Sequence, residues 1–151
     1  MEVQSRSERV QRHLHLLLSL YLADHPYQDS EGLPRETPNG NELRDLAQSY
    51  GPLLGLEPVD SPRADRPAET NPYFSFNPEL CIVCARCTRY CDEVEAVNAI
   101  TLAERGAATT IATADQVTLM DTTCELCGGC VDTCPTGALI ELKAPATLKE
   151  D

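Results

Sequence analysis

The N-terminal part of the chain carries apolar residues at the spacing of an amphipathic helix. They recur at steps of three and four positions, at Val10, Leu14, Leu17, Leu18, Tyr21 and Leu22. This pattern predicts a helix over residues 2–24 with one apolar face, which would pack against the rest of a protein. Pro26 ends the helix because proline disfavours helical geometry at the residue before it.

A second, shorter helix is predicted after a polar loop. The loop, residues 27–40, is rich in glycine, proline and acidic residues. Asn41 can cap a helix that runs through Tyr50, and Gly51 can stop it. The two helices are expected to form a hairpin that serves as a scaffold within residues 1–56.

The next stretch has the composition of an extended linker. Prolines recur at intervals of four or five residues among charged residues, at Pro58, Pro62, Pro67 and Pro72. Such a composition favours an extended segment. We therefore predict a linker over residues 57–72, a second domain over residues 73–143 and a tail over residues 144–151.

Short strands are predicted in the second domain. Residues 99–102 and 109–113 alternate apolar and polar positions on either side of Arg105 and Gly106, which indicates an antiparallel hairpin with glycine in the turn. A closing strand is expected from Leu139, Ile140 and Leu142. Together with the helices, these strands predict an α+β fold.

Composition and charge narrow the possible partners. The 151 residues include 24 acidic and 12 basic side chains, so the formal net charge is -12 at pH 7. This balance disfavours nucleic acid as a partner. No apolar run approaches the roughly 20 residues needed to cross a bilayer, so direct membrane insertion is not expected. With no Trp and only 2 Phe, the apolar core is thin, and we expect something else to supplement it.

One segment has the length of a signal-peptide core. The apolar run of residues 14–23 follows Arg6, Arg9 and Arg12. Glu2 and Glu8 dilute the positive charge, however, and the run ends on large residues where cleavage needs small ones. We therefore predict a cytoplasmic location, where cysteines stay reduced.

All eight cysteines belong to an internal repeat. Each cysteine of the first half recurs 43 positions later, since 124 - 81 = 43 and the other three pairs have the same separation. Both halves read C-x-x-C-x-x-C-x-x-x-C, which is the spacing of bacterial ferredoxins with two 4Fe-4S clusters.

The spacing also predicts which cysteines bind together. A tight loop with a cysteine at every third residue can supply three ligands to one cluster, and the fourth cysteine, expected at the start of a helix, serves the other cluster. We name the two predicted sites by their ligands. The first cluster would be held by Cys81, Cys84, Cys87 and Cys134, and the second by Cys124, Cys127, Cys130 and Cys91.

Other uses of the cysteines fit less well. A zinc ribbon takes two C-x-x-C pairs per metal and would leave the fourth cysteines without a role. Disulfides need an oxidising compartment. Two linked clusters on an acidic chain favour electron transfer, and a structural role for the clusters in an interaction module is the alternative. The chain carries no nucleophile–base signature, phosphate loop or G-x-G-x-x-G motif, so it is not expected to be an enzyme by itself.

The sequence resembles the two-cluster ferredoxin segment of formate dehydrogenase alpha subunits. The likeness is carried by the cysteine runs at 81–91 and 124–134, by the Arg105-Gly106 pair, and by residues 16–26 and 41–47. Related segments occur in the large iron-sulfur subunit of NADH:quinone oxidoreductase, in the diaphorase-side subunit of bidirectional hydrogenases and in iron-only hydrogenases. The resemblance implies a relay of single electrons inside a larger redox complex, with a formate dehydrogenase as the favoured parent.

The chain also departs from that family. The family usually has three cysteines after the His-Pro pair which, with a histidine, hold a further 4Fe-4S cluster. Here His25 remains but residues 27–40 contain no cysteine, and Asn41 stands where the third would be. That cluster is expected to be absent, with His25 acting in packing or at the helix end.

The resemblance also implies partners. In the family a 2Fe-2S domain precedes this segment, and a molybdopterin-binding or a flavin- and NAD-binding catalytic subunit completes the relay. The chain is expected to be either a piece of such a polypeptide or a free-standing subunit with the same role.

Overall fold

The protein has a mixed fold of helices and small sheets, as the sequence predicts. The computed structural model describes residues 3–26, 32–50, 56 and 59–142. Its helices and strands follow one another in the order α1 (Glu8–Ala23), α2 (Glu42–Tyr50), β1 (Glu69–Thr70), β2 (Phe74–Phe76), α3 (Arg86–Arg89), β3 (Thr101–Ala103), β4 (Thr110–Ala112), α4 (Gly129–Asp132) and β5 (Leu139–Glu141).

Capping side chains set where the first two helices begin. α1 starts at Glu8 rather than at residue 2 because the Ser7 hydroxyl accepts a hydrogen bond from the Val10 N–H at 3.4 Å. The predicted cap of α2 is confirmed, since Asn41 Oδ1 accepts from the Arg44 N–H at 3.1 Å. Gly51, predicted to stop α2, lies outside the described residues.

The two N-terminal helices pack against each other through a small apolar core. Leu18 and Leu22 of α1 and Leu43 and Ala47 of α2 are buried together. Ile82, which directly follows Cys81, packs against this core from the second domain. The helix pair therefore rests on the first cysteine loop.

Three antiparallel strands form the larger sheet. Its order is β1-β2-β5, with Phe74, Ser75 and Phe76 opposite Glu141, Ile140 and Leu139. The predicted closing strand is present as β5, although it ends at Glu141. The Leu142 N–H continues the pairing with the carbonyl of Tyr73 at 2.7 Å.

The predicted hairpin is also present. β3 and β4 pair antiparallel, with Leu102 opposite Ile111, and Gly106 in the turn has a φ of +62°. The main core lies between this hairpin and the larger sheet, and it contains Phe74, Ile100, Ile111, Leu119, Val131 and Leu139 together with Cys81 and Cys87.

Described residues of the predicted linker contact both parts of the chain. The Val59 N–H donates to the carbonyl of Ala23 at 2.8 Å, and Arg66 donates to the carbonyl of Ala108 at 3.0 Å. Residues 69–70 form β1, a strand that the sequence pattern did not predict. No helix in the described ranges is both long and apolar enough to span a membrane.

Candidate metal centre

The first cavity is lined by four cysteines from both halves of the repeat. Cys81 and Cys84 lie in the loop that leads into α3, Cys87 lies within α3, and Cys134 follows the end of α4 by two residues. The Cys134 segment is tied to the first loop by Thr136, whose side chain is almost fully buried and donates to the carbonyl of Leu80 at 2.7 Å.

The second cavity is lined by the other four cysteines. Cys124 and Cys127 lie in the loop that leads into α4, and Cys130 lies within α4. Cys91 lies in a π-helical turn over Tyr90–Val94 that continues α3. The structure thus brings together, around each cavity, three cysteines of one repeat and the fourth of the other.

The fourth cysteines do not begin helices, contrary to the sequence-based expectation. Cys134 follows α4, and Cys91 lies inside the turn after α3. The reason is that each short helix already begins within its cysteine loop, after the left-handed residue Ala85 in the first loop and Gly128 in the second.

The two cysteine loops have the same backbone conformation. Val83 and Leu126, which are 43 residues apart, have φ of +55° and +58°, and the next such pair, Ala85 and Gly128, has +59° and +80°. Left-handed residues fold the chain back on itself and turn successive amides towards one side. This conformation accounts for cysteines at every third position lining a single cavity.

In each cysteine run, backbone N–H groups donate hydrogen bonds to the sulfurs of the first and the last cysteine. The Val83 N–H reaches Cys81 Sγ at 3.4 Å and the Leu126 N–H reaches Cys124 Sγ at 3.5 Å. The N–H groups of Ala99 and Leu139 reach the sulfurs of Cys91 and Cys134, at 3.3 and 3.4 Å. Each cavity therefore has two such bonds, which stabilise negative charge on sulfur.

Burial holds several of the thiols in their neutral form. Burial first, and the neighbouring cysteines second, raise the pKa of Cys87 and of Cys130 to about 12 each. The pKa of Cys81 is raised by burial as well. Since metal ligands must be thiolates, a bound group has to supply enough positive charge to displace these protons.

The donor set fits an iron-sulfur group. Sulfur ligands select soft metals, chiefly zinc and iron-sulfur clusters. Among the described residues, no three His, Cys, Asp or Glu side chains are close enough together to hold a single metal ion. The cysteines instead surround two cavities, and all eight are free thiols.

Tyr90 is a site residue that sequence reasoning missed. It lines the second cavity, and its hydroxyl is hydrogen-bonded to the Glu95 carboxylate, which raises the tyrosine pKa. Its ring lies so close to Gly129 that a Cβ at this glycine would overlap it. The only available signal was a glycine beside a cysteine, which is too common to predict this contact.

His25 and Asn41, at positions where the family usually has ligands of a further cluster, make structural contacts here. His25 is buried just after α1, its N–H donates to the carbonyl of Leu22 at 3.3 Å, and burial lowers its pKa. Asn41, besides capping α2, donates to the carbonyl of Arg35 at 3.0 Å. The position where the family usually has cysteine is thus used here to anchor the loop before α2.

Known proteins resemble the chain over most of its length. It is 32% identical to the NADP-reducing hydrogenase subunit HndD of Solidesulfovibrio fructosivorans, over 93% of this chain and 23% of the relative. It is 31% identical to a subunit of the NADH-quinone oxidoreductase of Rhizobium meliloti, over 93% of this chain and 16% of the relative. Formate dehydrogenase-like proteins of Staphylococcus match a shorter part, 58% of the chain.

A solved structure has the same fold. The crystal structure of an NAD+-reducing [NiFe]-hydrogenase in the H2-reduced state superimposes with a TM-score of 0.76 at 25% identity, over 95% of this chain and 59% of the hydrogenase chain. The chain spans less than a quarter of the length of the two curated relatives above.

The family follows from the second domain. Residues 71–140 match the family described as NADH-quinone oxidoreductase subunit 3, ferredoxin-like domain. These residues carry all eight cysteines and both cavities. Residues 71–140 therefore form an iron-sulfur ferredoxin-like domain of the kind described for NADH-quinone oxidoreductase, and the chain is similar as well to hydrogenase and formate dehydrogenase-like proteins.

Proposed function

We propose that the chain relays single electrons between two 4Fe-4S clusters inside a larger oxidoreductase. The proposed ligands are Cys81, Cys84, Cys87 and Cys134 for the first cluster, and Cys124, Cys127, Cys130 and Cys91 for the second. Such a cluster, when bound, takes up and passes on one electron at a time. The chain supplies the ligands and their surroundings, and catalysis on a substrate belongs to its partners.

The exchange of the fourth cysteine is the observation that carries the proposal. Each cavity combines both halves of the repeat, so two clusters bound in this way would be neighbours held by the same two loops. Short separation favours electron transfer between them. The amides that donate to sulfur would stabilise the extra negative charge of a reduced site.

The parent complex is the finer part of the proposal. The matches to hydrogenase and NADH-linked subunits cover 93% of the chain, against 58% for the formate dehydrogenase-like proteins. This difference favours a hydrogenase or an NADH dehydrogenase over the formate dehydrogenase that the sequence motifs suggested. The expected partners are a 2Fe-2S domain and a flavin-, NAD- or molybdopterin-binding subunit, in the cytoplasm.

The domain division is also part of the proposal. The helical scaffold, placed at residues 1–56, has its own core around Leu18 and Leu43, separate from the core of the domain at residues 73–143. The segment at residues 57–72 would connect the two domains and pack against both, and residues 144–151 would form a tail.

Electron paramagnetic resonance of the chain, reconstituted with iron and sulfide under anaerobic conditions, tests the proposal. About eight irons per chain, and a spectrum broadened by coupling between two reduced clusters, are expected. About four irons with one uncoupled signal would contradict the two-cluster relay. Clusters that stay redox-silent down to dithionite would favour the alternative, a structural iron-sulfur module.

Cysteine variants test the exchange of ligands. Cys134→Ser and Cys84→Ser should alter the same signal, although the two residues belong to different repeats. Cys91→Ser and Cys127→Ser should alter the other. If Cys134→Ser instead altered the same signal as Cys127→Ser, each repeat would hold its own cluster and the proposed assignment would be wrong.

A further inference from the structure

Arg63 is a buried cation whose charge is only partly balanced by the protein. The residue is 7% exposed. Its Nη2 lies 3.5 Å from Oδ2 of Asp24, whose side chain is 29% exposed. Its Nε is buried and has no hydrogen-bond partner among the described residues. Since an incompletely paired buried charge is costly, this arginine implies another source of negative charge nearby.

The first cavity is the site where we expect such charge to arise. Burial raises the pKa of the Cys81 thiol, and the charge of Arg63 opposes part of this rise by favouring the thiolate. Cys81 lines the first cavity, and the next residue, Ile82, packs on the core of α1 and α2. Arg63 thus lies beside Asp24 at the end of α1, the helix against whose core Ile82 of the first cysteine loop packs.

The second cavity has a different electrostatic environment. The charges that act on Cys130 come from the neighbouring cysteines Cys127 and Cys124. Asp92 and Glu93, which follow Cys91, are exposed, so solvent and salt screen them. A buried guanidinium is screened much less, and its effect should therefore exceed that of the exposed acids.

We propose that Arg63 tunes the first cluster, raising its reduction potential above that of the second. This inference rests on the proposed relay function. Reduction adds one negative charge to a cluster, and a fixed buried cation stabilises that charge more than it stabilises the oxidised state. The electron would then reside preferentially on the cluster beneath the helix pair, which gives the relay a direction.

Redox titration of the iron-loaded chain, followed by electron paramagnetic resonance, tests this tuning. Arg63→Gln should shift the midpoint potential of one signal to more negative values, and that signal should be the one altered by Cys84→Ser. Arg63→Lys, which keeps the charge, should retain most of the wild-type potential. Arg66→Gln is the matched control, because it also removes an arginine from this segment. The Arg66 guanidinium donates to the carbonyl of Ala108, so its removal should shift neither potential.

A second variant acts in the opposite direction. Asp24→Asn removes the partial counter-charge of Arg63, so the same potential should move to more positive values. This keeps the test decisive if Arg63→Gln fails to incorporate iron.

Two results would overturn the tuning role while leaving the relay intact. The first is that wild type, Arg63→Gln and Asp24→Asn have equal midpoint potentials. The second is that the potential shift occurs in the signal altered by Cys127→Ser. Failure of the wild-type chain to show two coupled clusters would refute the proposed function itself.

Discussion

At the scale of single residues, the internal repeat provides pairs of residues at equivalent positions in its two halves. Ala85 and Gly128 occupy equivalent left-handed positions, and a Cβ added at Gly128 would meet no described residue within 4 Å apart from its neighbours along the chain. A left-handed conformation costs an alanine about 1–2 kcal/mol, and the greater freedom of glycine in the unfolded chain offsets roughly 0.4–1 kcal/mol of this. We expect Ala85→Gly to stabilise the iron-loaded protein slightly and Gly128→Ala to destabilise it by a similar amount. Anaerobic thermal unfolding measures both, and a shift of the same sign in both variants would contradict the explanation.

Protonation of His25 predicts a dependence of stability on pH. Burial lowers the pKa of its imidazole, so the unfolded chain binds this proton more readily than the folded chain. The stabilising contribution is therefore complete above the unfolded pKa of about 6.5 and is lost as the pH falls through and below it. The loss is about 1.4 kcal/mol for each tenfold difference in proton affinity between the unfolded and the folded chain. Urea unfolding at pH 7.5 and 5.5 should show this loss in wild type and a smaller loss in His25→Gln. Equal losses of stability in both proteins would show that a group other than His25 causes the pH dependence.

Residues with a fixed spacing could be predicted from sequence, and residues defined by a distant contact could not. The eight cysteines and the Asn41 cap were found because their partners lie at set intervals along the chain. Arg63 looked like one charge among many in a proline-rich stretch, and its ion-pair partner Asp24 lies 39 residues earlier (63 - 24 = 39). The role of Tyr90 likewise depends on Gly129, in the other repeat.

At the scale of elements, the helix pair is expected to support the first cysteine loop. Leu22 is buried in the core shared by α1, α2 and Ile82, whereas Leu20 is 53% exposed on the same helix. Leu22→Ala should lower the free energy of unfolding by about 2–5 kcal/mol, and Leu20→Ala by less than about 0.5 kcal/mol. Urea unfolding of the iron-loaded protein, followed by circular dichroism, measures both. Leu22→Ala should also weaken the signal altered by Cys84→Ser more than the one altered by Cys127→Ser, and an equal loss of the two signals would show that the helix pair does not support one loop in particular.

Local sequence signals decided which elements could be predicted. α1 was predicted from its apolar periodicity, α2 from the cap at Asn41 and the stop at Gly51, and β3 and β4 from the glycine in the turn that separates them. β1 and β2 have two and three residues, which is too few for an alternating pattern to stand out. The prolines around β1 indicated a linker instead of a strand. β1 is nevertheless compatible with them because it is an edge strand, where a nearby proline removes no hydrogen bond inside the sheet.

At the scale of the whole molecule, cysteines take the place of apolar mass. Of the ten buried residues in the main core two are cysteines, and four more cysteines pack against it partly buried. Their thiols surround the two cavities and meet apolar side chains such as Phe74 and Leu139. Without a bound group the walls of these cavities would lack partners on one side, and dispersion contacts would be lost. The second domain should therefore depend on its clusters for stability.

Removal of iron should unfold most of the second domain. Binding free energy at a metal site that does not exist in the unfolded chain becomes folding free energy, and this domain has little apolar area to replace it. Chelation under mild oxidation should abolish the β-sheet signal in circular dichroism and the dispersion of amide resonances. The α-helical signal should fall less, because the core around Leu18 and Leu43 contains no cysteine. Anaerobic reconstitution with iron and sulfide should restore the lost signals in wild type but not in a variant with all eight cysteines changed to serine. An iron-free chain that kept its β-sheet signal and dispersed resonances would show that the apolar core alone is sufficient.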